Sequence, residues 1–576
     1  MWLRCRFWLL IVGLSVCGCE RARRTDSHDA VPAAPIEPAA SATENWFPEI
    51  AGTVLSPPFQ HRVPQTPRYH LPAIMGSGVA IADVDGDGRM DLIAATLVGE
   101  ELSGGFAVYR QTRPGSFVRT DKDWYAVRGL PMGFACGDWN HDGAPDLLTT
   151  CYGPDALWLN DGAGQFREIT AEAGYENLSW GASACCVDYD RDGWLDLCVT
   201  NYVDYVDRDC QQLGGGQSDY CAPHLFPGTM DRLFRNVTGE PGEGKTPLVP
   251  RFRDVTDTAG LATLKGAGLG VTAADFTGDD WPDLYIANDQ QANFLWVNQQ
   301  DGTFREEAVL RGCAYDRLGR SQASMGLAVI DFNEDGLWDL FLTHLDGEYH
   351  TLYAGRPGGL FEDVTATAGL AETTLPFTGF GVAAIDLTQT GHEDLITVNG
   401  RVRRPAGVAE GTTREHWLPY RQPLQVWMQR SGPTFEPLAQ QAAWLQHTSV
   451  SRGLAVGDLD LDGDLDFVVN RIDEPLAIYQ NQVPRAGHGV TVRLRLPDQG
   501  GRDAIGAVVT LRAGQRRWQR LLQPGQSYLS SHAPVVQIGL GDVSAIDELE
   551  VLWPDGRRSR HPGGSVDREY VLEPLP

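Results

Sequence analysis

Seven times along the chain an aspartate-rich run of nine residues closes on a large apolar side chain: DVDGDGRMDL from Asp83, DWNHDGAPDL from Asp138, DYDRDGWLDL from Asp188, DFTGDDWPDL from Asp275, DFNEDGLWDL from Asp331, DLTQTGHEDL from Asp386 and DLDLDGDLDF from Asp458. Carboxylates this dense either repel one another in water or share a cation. Side-chain oxygens at positions one, three, five and nine, a backbone carbonyl at seven and a glycine at six compose a hard-oxygen cage suited to Ca²⁺. An EF-hand is excluded, because its twelfth position requires a bidentate Glu and loop one has Ala94 there. The flanks SGVAIAD and DLIAAT are short, apolar and β-branched, so the loops are expected inside β-hairpins.

The expected ligands are Asp83, Asp85, Asp87, Arg89 and Asp91 in loop one, and Asp138, Asn140, Asp142, Ala144 and Asp146 in loop two. They continue with Asp188, Asp190, Asp192, Trp194 and Asp196 in loop three, and Asp275, Thr277, Asp279 and Asp283 in loop four. Loop five offers Asp331, Asn333, Asp335, Leu337 and Asp339, and loop seven Asp458, Asp460, Asp462, Asp464 and Asp466. Arg89, Ala144, Trp194, Leu337 and Asp464 enter through their carbonyls. Loops one, three and seven are complete, and Asn140 and Asn333 still offer an oxygen. Loop four carries Asp280 where glycine is expected, which puts its geometry in question; loop six, with Thr388 and Thr390, is expected empty or weak. About five to six calcium sites are therefore expected. The competing account is a set of acidic turns closed by Asx hydrogen bonds.

The flanks repeat with the loops. Five residues before each leading Asp stands Gly78, Gly133, Ser183, Gly270, Gly326, Gly381 or Gly453. A position that is always small predicts strands crowded around an axis. Successive leading aspartates are 50 to 87 residues apart, and the short intervals of 50 to 56 match one four-stranded propeller blade. The segments FREITAEAGY, FRDVTDTAGL and FEDVTATAGL recur between loops. Together these features resemble the FG-GAP/VCBS repeat family, whose blades form seven-bladed propellers like the integrin α-subunit head. The resemblance implies an all-β fold, a seven-bladed β-propeller over residues 46–484 with calcium-binding hairpin loops.

Composition agrees with this reading. The chain has 47 Lys and Arg against 76 Asp and Glu, a net charge of −29, and the seven loops hold 27 of the acids. Without a cation the loops would repel, and stability is expected to be linked to calcium. So negative a chain excludes nucleic acid as the expected partner.

The N-terminus MWLRCRFWLLIVGLSVCGCERARR has Arg4 and Arg6 before a short apolar run, the pattern of a secretory signal over residues 1–18. Its end, VCGC, resembles a bacterial lipobox, which implies a lipid on Cys19 and a periplasmic or cell-surface lipoprotein. Residues 19–45 are rich in Pro, Ala and Ser and are expected to be a disordered tether. The segment from Phe47 to Gly78 is expected to start or seal the ring. Cys210 and Cys221 bracket QQLGGGQSDY inside the overlong third interval and are the expected disulfide.

Past residue 485 the loop signature stops and alternating runs such as GVTVRLRL predict a small β domain over 485–576. RDAIGA, SYLSSH, IGLG and VLWPDG resemble the ASPIC/UnbV domain, which in its family follows such propellers. No HExxH, G-x-S-x-G, GxxxxGK[ST] or dinucleotide fingerprint occurs. The expected function is a binding or adhesion module for a protein or glycan at the propeller rim, with the membrane met only through the lipid. Tyr202, Tyr205, Tyr220 and Tyr349 are sugar-stacking or packing residues. The alternative is a carbohydrate-active enzyme, a polysaccharide lyase or hydrolase, with Arg403, Arg404 and His416 as the nearest candidates.

Overall fold

The computed structural model describes residues 45–63, 69–98, 103–120, 124–211, 217–240, 249–405, 408, 415–430, 432–438 and 443–575. The expected signal, Cys19 and nearly all of the tether lie outside them. Among the described residues no helix is long and apolar enough to cross a membrane.

Every acidic loop sits where the spacing puts it, in a hairpin whose second strand begins at the ninth-position aspartate. The first strands are Val79–Ala82, Leu130–Gly137, Gly181–Val187, Gly268–Ala274, Leu327–Ile330, Gly379–Ile385 and Ser451–Gly457. The second strands are Asp91–Val98, Asp146–Tyr152, Asp196–Asn201, Asp283–Gln291, Asp339–Leu342, Asp394–Asn399 and Asp466–Arg471. Each hairpin continues into a third strand, giving seven sheets in chain order. Each first strand packs on the next, and Ser451–Gly457 packs on Val79–Ala82, which closes the cycle. The architecture is a propeller followed by a C-terminal β domain.

The last sheet has three strands of its own, Ser451–Gly457, Asp466–Arg471 and Ala477–Tyr479. Residues 46–50 supply its outer edge: Glu49 bridges Tyr479, the Ile50 N–H donates to the Ile478 carbonyl at 2.8 Å and the Gln482 N–H to the Trp46 carbonyl at 2.8 Å. Leu55–Ser56 then pairs in parallel with Ser116–Arg119 on the outer edge of the first sheet. The start of the described chain thus stitches the first sheet to the last, and covers two edges that would otherwise expose backbone donors and acceptors.

Residues 488–572 form two further sheets. One orders Arg502–Asp503, His488–Leu496 and Val536–Gly541, with Arg568–Leu572 parallel to the second of these. The other orders Arg516–Leu521, Val508–Ala513, Ala545–Leu552 and Arg558–Ser565. Val492, Leu494, Val509, Leu511, Trp518, Ile538, Leu549 and Trp553 fill the space between them.

Residues 523–534 leave this domain and run along the axis of the ring, touching the first strand of every sheet. The Ile81 N–H donates to the Ser531 carbonyl at 3.0 Å, the Phe134 N–H to the Leu529 carbonyl at 3.2 Å, and the Ala533 N–H to the Val456 carbonyl at 2.9 Å. Leu327 and Ser527 exchange backbone bonds at 2.8 and 3.2 Å, and the Val382 N–H donates to the Ser527 hydroxyl at 3.0 Å. The Ser183 hydroxyl accepts from the Leu529 N–H at 3.0 Å, and the Gln523 amide reaches the Cys186 and Ala273 carbonyls. Crowding at the axis is real, but the axial segment causes part of it: a Cβ on Gly78 would stand 2.0 Å from the Leu529 carbonyl oxygen.

Candidate metal centres

Each loop is built from two carboxylates that hold its backbone. At position one, the N–H of position six donates to the leading Asp in all seven loops, from 2.6 Å at Gly391 to 3.1 Å at Gly336. At position nine, one oxygen accepts the N–H of position two and the other accepts an N–H from the third strand or, in loop seven, from Asn481 two residues past it. In loop one these donors are Val84 at 3.0 Å and Gln111 at 2.7 Å. The other six loops repeat the fork on Asp146, Asp196, Asp283, Asp339, Asp394 and Asp466. These side chains are at most 2% exposed. Position nine therefore ties hairpin to third strand whatever else it does, and its remaining lone pairs are what a cation would share.

Positions three and five separate the loops. In loops one, three and seven, oxygens of Asp83, Asp85 and Asp91, of Asp188, Asp190 and Asp196, and of Asp458, Asp460 and Asp466 gather within 4.8 Å of one another. In loop two the Asn140 amide instead donates to Asp142 at 2.8 Å while its oxygen accepts the Asp142 N–H at 3.2 Å; Asn333 and Asp335 repeat this in loop five at 2.9 and 3.1 Å. The asparagine amide thus occupies an oxygen of its own neighbour as a hydrogen-bond donor. Asp87, Asp142, Asp192, Asp279, Asp335 and Asp462, all at position five, accept the N–H of position seven, so Arg89, Ala144, Trp194, Trp281, Leu337 and Asp464 are set by local turns. Loop four keeps its turn despite Asp280, which takes the left-handed conformation glycine would occupy, φ 70°, and pairs with Arg558 of the C-terminal domain at 2.7 Å.

Electrostatically the carboxylates are short of positive charge. Burial, opposed in part by the backbone donors, pushes Asp91 up to about 7. Burial and then the Asp192 charge push Asp188 up to about 7, and Asp283, Asp339 and Asp466 stand at about 8 for the same first reason. In loop three Arg235 sits 2.6 Å from Asp190 and 2.8 Å from Asp192. Even so, one oxygen of buried Asp188 has no hydrogen-bond partner. An acceptor-only donor set with an orphaned buried oxygen fits a hard divalent cation.

Loop six has a different centre. Asp386 and Asp394 keep their backbone bonds, while the Thr388 and Thr390 hydroxyls face each other at 3.4 Å. The C-terminal domain docks on it: Arg520 donates to the Gly391 carbonyl at 3.0 Å and its Nε lies 3.3 Å from buried Glu393, while the Gly541 N–H donates to the Gln389 carbonyl at 3.0 Å. Gly539 lies against Asp386 so closely that a Cβ would stand 1.8 Å from the carboxylate. Sequence reasoning missed Arg520 and Gly539 because nothing near them repeats.

On the opposite face Cys210 and Cys221 are bonded, with Cα atoms 5.2 Å apart, at the end of the short paired strands Cys210–Gln211 and Ser218–Asp219, Cys221 lying two residues past the second. Tyr202, Tyr205 and Tyr220 are buried in an aromatic layer with Tyr69, Trp180 and Tyr420. Tyr349 donates to Asp363 at 3.1 Å. Arg404 is buried, its N–H donating to Asp219 at 3.0 Å and its guanidinium 5.5 Å from the Tyr69 ring; His416 lies 3.1 Å from the Tyr220 hydroxyl. Arg404 and His416 thus meet this layer, at Tyr69 and Tyr220, while Tyr349 lies outside it.

Residues 83–149, 138–199 and 275–342 match the FG-GAP-like repeat, and residues 497–575 match ASPIC and UnbV. Cartilage acidic protein 1 of Homo sapiens is 24% identical, over 94% of this chain and 77% of that protein; the Xenopus tropicalis protein is 25% identical, over 90% and 75%. Among solved structures, an Agrocybe aegerita lectin that recognises non-reducing terminal N-acetylglucosamine aligns with a TM-score of 0.35 and 13% identity, over 68% of this chain and 85% of that one. A likeness that distant carries no functional argument. The chain thus carries FG-GAP-like repeats and an ASPIC and UnbV segment, and over most of its length it is homologous to cartilage acidic protein 1.

Proposed function

We propose that the protein is an extracytoplasmic calcium-binding propeller, anchored through a lipid on Cys19, that serves as a binding or adhesion module for a protein or glycan. The observation that carries the calcium reading is the convergence of three carboxylates in each of loops one, three and seven. Asp83, Asp85 and Asp91 would hold one ion, and the matching residues of loops three and seven two more; Asp87, Asp192 and Asp462 would complete the sets with the carbonyls of Arg89, Trp194 and Asp464. A bound ion would neutralise charge and tie the position-three and position-five carboxylates, whose backbone bonds otherwise stay within their own loop, to positions one and nine. Loops two and five join once the Asn amide turns its oxygen inward.

The binding face of this reading is the one opposite the loops. There the insertions after the third and sixth second strands present exposed Val206, Leu225 and Leu418 above the aromatic layer. The domain architecture and the homology to cartilage acidic protein 1 support a binding module. The test is metal analysis of the purified protein with calorimetric calcium titration of the native chain, Asp85→Ala and Asp460→Ala. Each substitution is expected to remove one ion, and a native chain that binds none at millimolar calcium refutes the reading. Retention without cleavage on immobilised polyuronate or sulfated glycans separates a module from a lyase, whose signature is new unsaturated ends.

A further inference from the structure

We propose that neighbouring loops are coupled around the ring by a contact from position four of one loop to position seven of the next, so that filling one cage tightens its neighbour. The inference rests on the calcium reading and adds to it an order in which the sites communicate.

Position four is left-handed in every loop: Gly86 at φ 71°, His141 at 60°, Arg191 at 58°, Gly278 at 79°, Glu334 at 56°, Gln389 at 57° and Leu461 at 62°. Side chains rarely adopt that conformation, yet five of these seven positions carry one. Four of the five reach the next loop. The His141 ring lies flat on Trp194, centroids 3.8 Å apart and planes within 3°. The Arg191 guanidinium stands 4.2 Å over the Trp281 ring. Glu334 meets His392 at 2.9 Å, and the Gln389 amide donates to Asp464. Trp194, Trp281, His392 and Asp464 all occupy position seven of their own loops.

The chemistry changes from pair to pair, through aromatic stack, cation–π contact, ion pair and amide–carboxylate bond, while the place is constant. A repeated place with varied chemistry marks a mechanical role rather than inherited residue identity. Position seven lends its carbonyl to its own cage and its N–H to the position-five carboxylate, as Trp194 does to Asp192 at 2.9 Å. Position four stands between ligands three and five of its own cage. An ion that fixes Asn140 and Asp142 therefore also fixes His141, and with it the Trp194 ring. Ordering already accomplished at one site need not be supplied again at the next, which is positive coupling.

The pattern also says where coupling stops. Gly86 and Gly278 have no side chain to extend, and Leu461 is 46% exposed. The coupled cages are therefore loops two to four; from loop five to loop seven the same contacts run through loop six, which offers Thr388 and Thr390 in place of ligands and holds no cage to fill, and loop one is independent of loop two.

Equilibrium dialysis over a range of free calcium, which gives the number and affinity of sites, tests this. Asp142→Ala is expected to remove one site and weaken another by about fivefold, the low end of measured couplings. Asp85→Ala is expected to remove one site and leave the others unchanged. In a His141→Gly background, which keeps the backbone that Gly86 already adopts in loop one, Asp142→Ala is expected to remove its own site only. Loss of one unlinked site in the His141 background, or equal weakening in the His141→Gly background, overturns the coupling while calcium binding stands. A native chain without bound calcium overturns both.

Discussion

Loop three and loop six share one backbone and differ in what occupies the centre. In both, the leading aspartate accepts the position-six N–H and the ninth ties position two to the third strand. Loop three then adds Asp190 and Asp192, met by Arg235 and leaving a buried Asp188 oxygen unpartnered. Both loops meet the C-terminal domain through an arginine on the position-six carbonyl, Arg502 on Gly193 at 2.9 Å and Arg520 on Gly391 at 3.0 Å, but loop six puts two threonines at positions three and five and has Gly539 pressed on its leading aspartate. The frame and the filling are thus separate properties. Turns closed by carboxylates and carboxylate clusters that could hold a cation occur together, at different positions of the same loop.

The comparison breaks most severely at the frame. Asp196→Ala and Asp394→Ala each strand two backbone N–H groups, at about 1–3 kcal/mol apiece, so both are expected to lower denaturant stability by several kcal/mol whether or not calcium is present. Insensitivity of Asp394→Ala would mean that loop six is held by docking alone. Gly539→Ala sharpens the other side: its Cβ has no room beside Asp386, and a loss of about 1–3 kcal/mol is expected, unchanged by chelator. Asp190→Ala should cost more when calcium is supplied than in chelator, by about 2.7 kcal/mol at a hundredfold excess over the dissociation constant, beyond the loss of its Arg235 pair. Thr388→Asp in loop six should gain no ion, which calorimetry checks.

Acidity acts through the same carboxylates, with a change of sign. Asp339 and Asp466 at about 8, and Asp91 and Asp188 at about 7, lie above the ordinary 3.8 because burial disfavours their charged forms. A raised folded-state value means the folded chain binds protons more tightly, so this contribution is present at low pH and lost as pH rises through 7 to 8. With chelator, melting temperature is expected to fall as pH is raised from 5 to 9. With excess calcium the slope should reverse, because protons compete for the cage oxygens.

The loops were legible because their determinants lie within nine residues of one another. Carboxylate spacing selects the turn, strand-like flanks select the hairpin, and Thr388 and Thr390 mark loop six as the weak member. Asp280 read as a defect only because glycine is the usual occupant; Arg558, 278 residues away, is what meets it. Gln111, Asn160 and Asn236, whose N–H groups complete the ninth-position fork, lie 14 to 40 residues beyond it, and that distance varies with each loop.

By itself, then, the sequence determined the repeat, the hairpins and the carboxylate inventory, since each follows from local spacing. Only the tertiary structure decided that residues 523–534 fill the axis, that residues 46–50 complete the last sheet, and that loop six is a docking point. Each of these is set by contacts across long stretches of chain in which every residue meets a different strand, so no period exists to betray it. Backbone groups at a ring axis and at a sheet edge must find partners, and which segment supplies them is settled only when the whole ring closes.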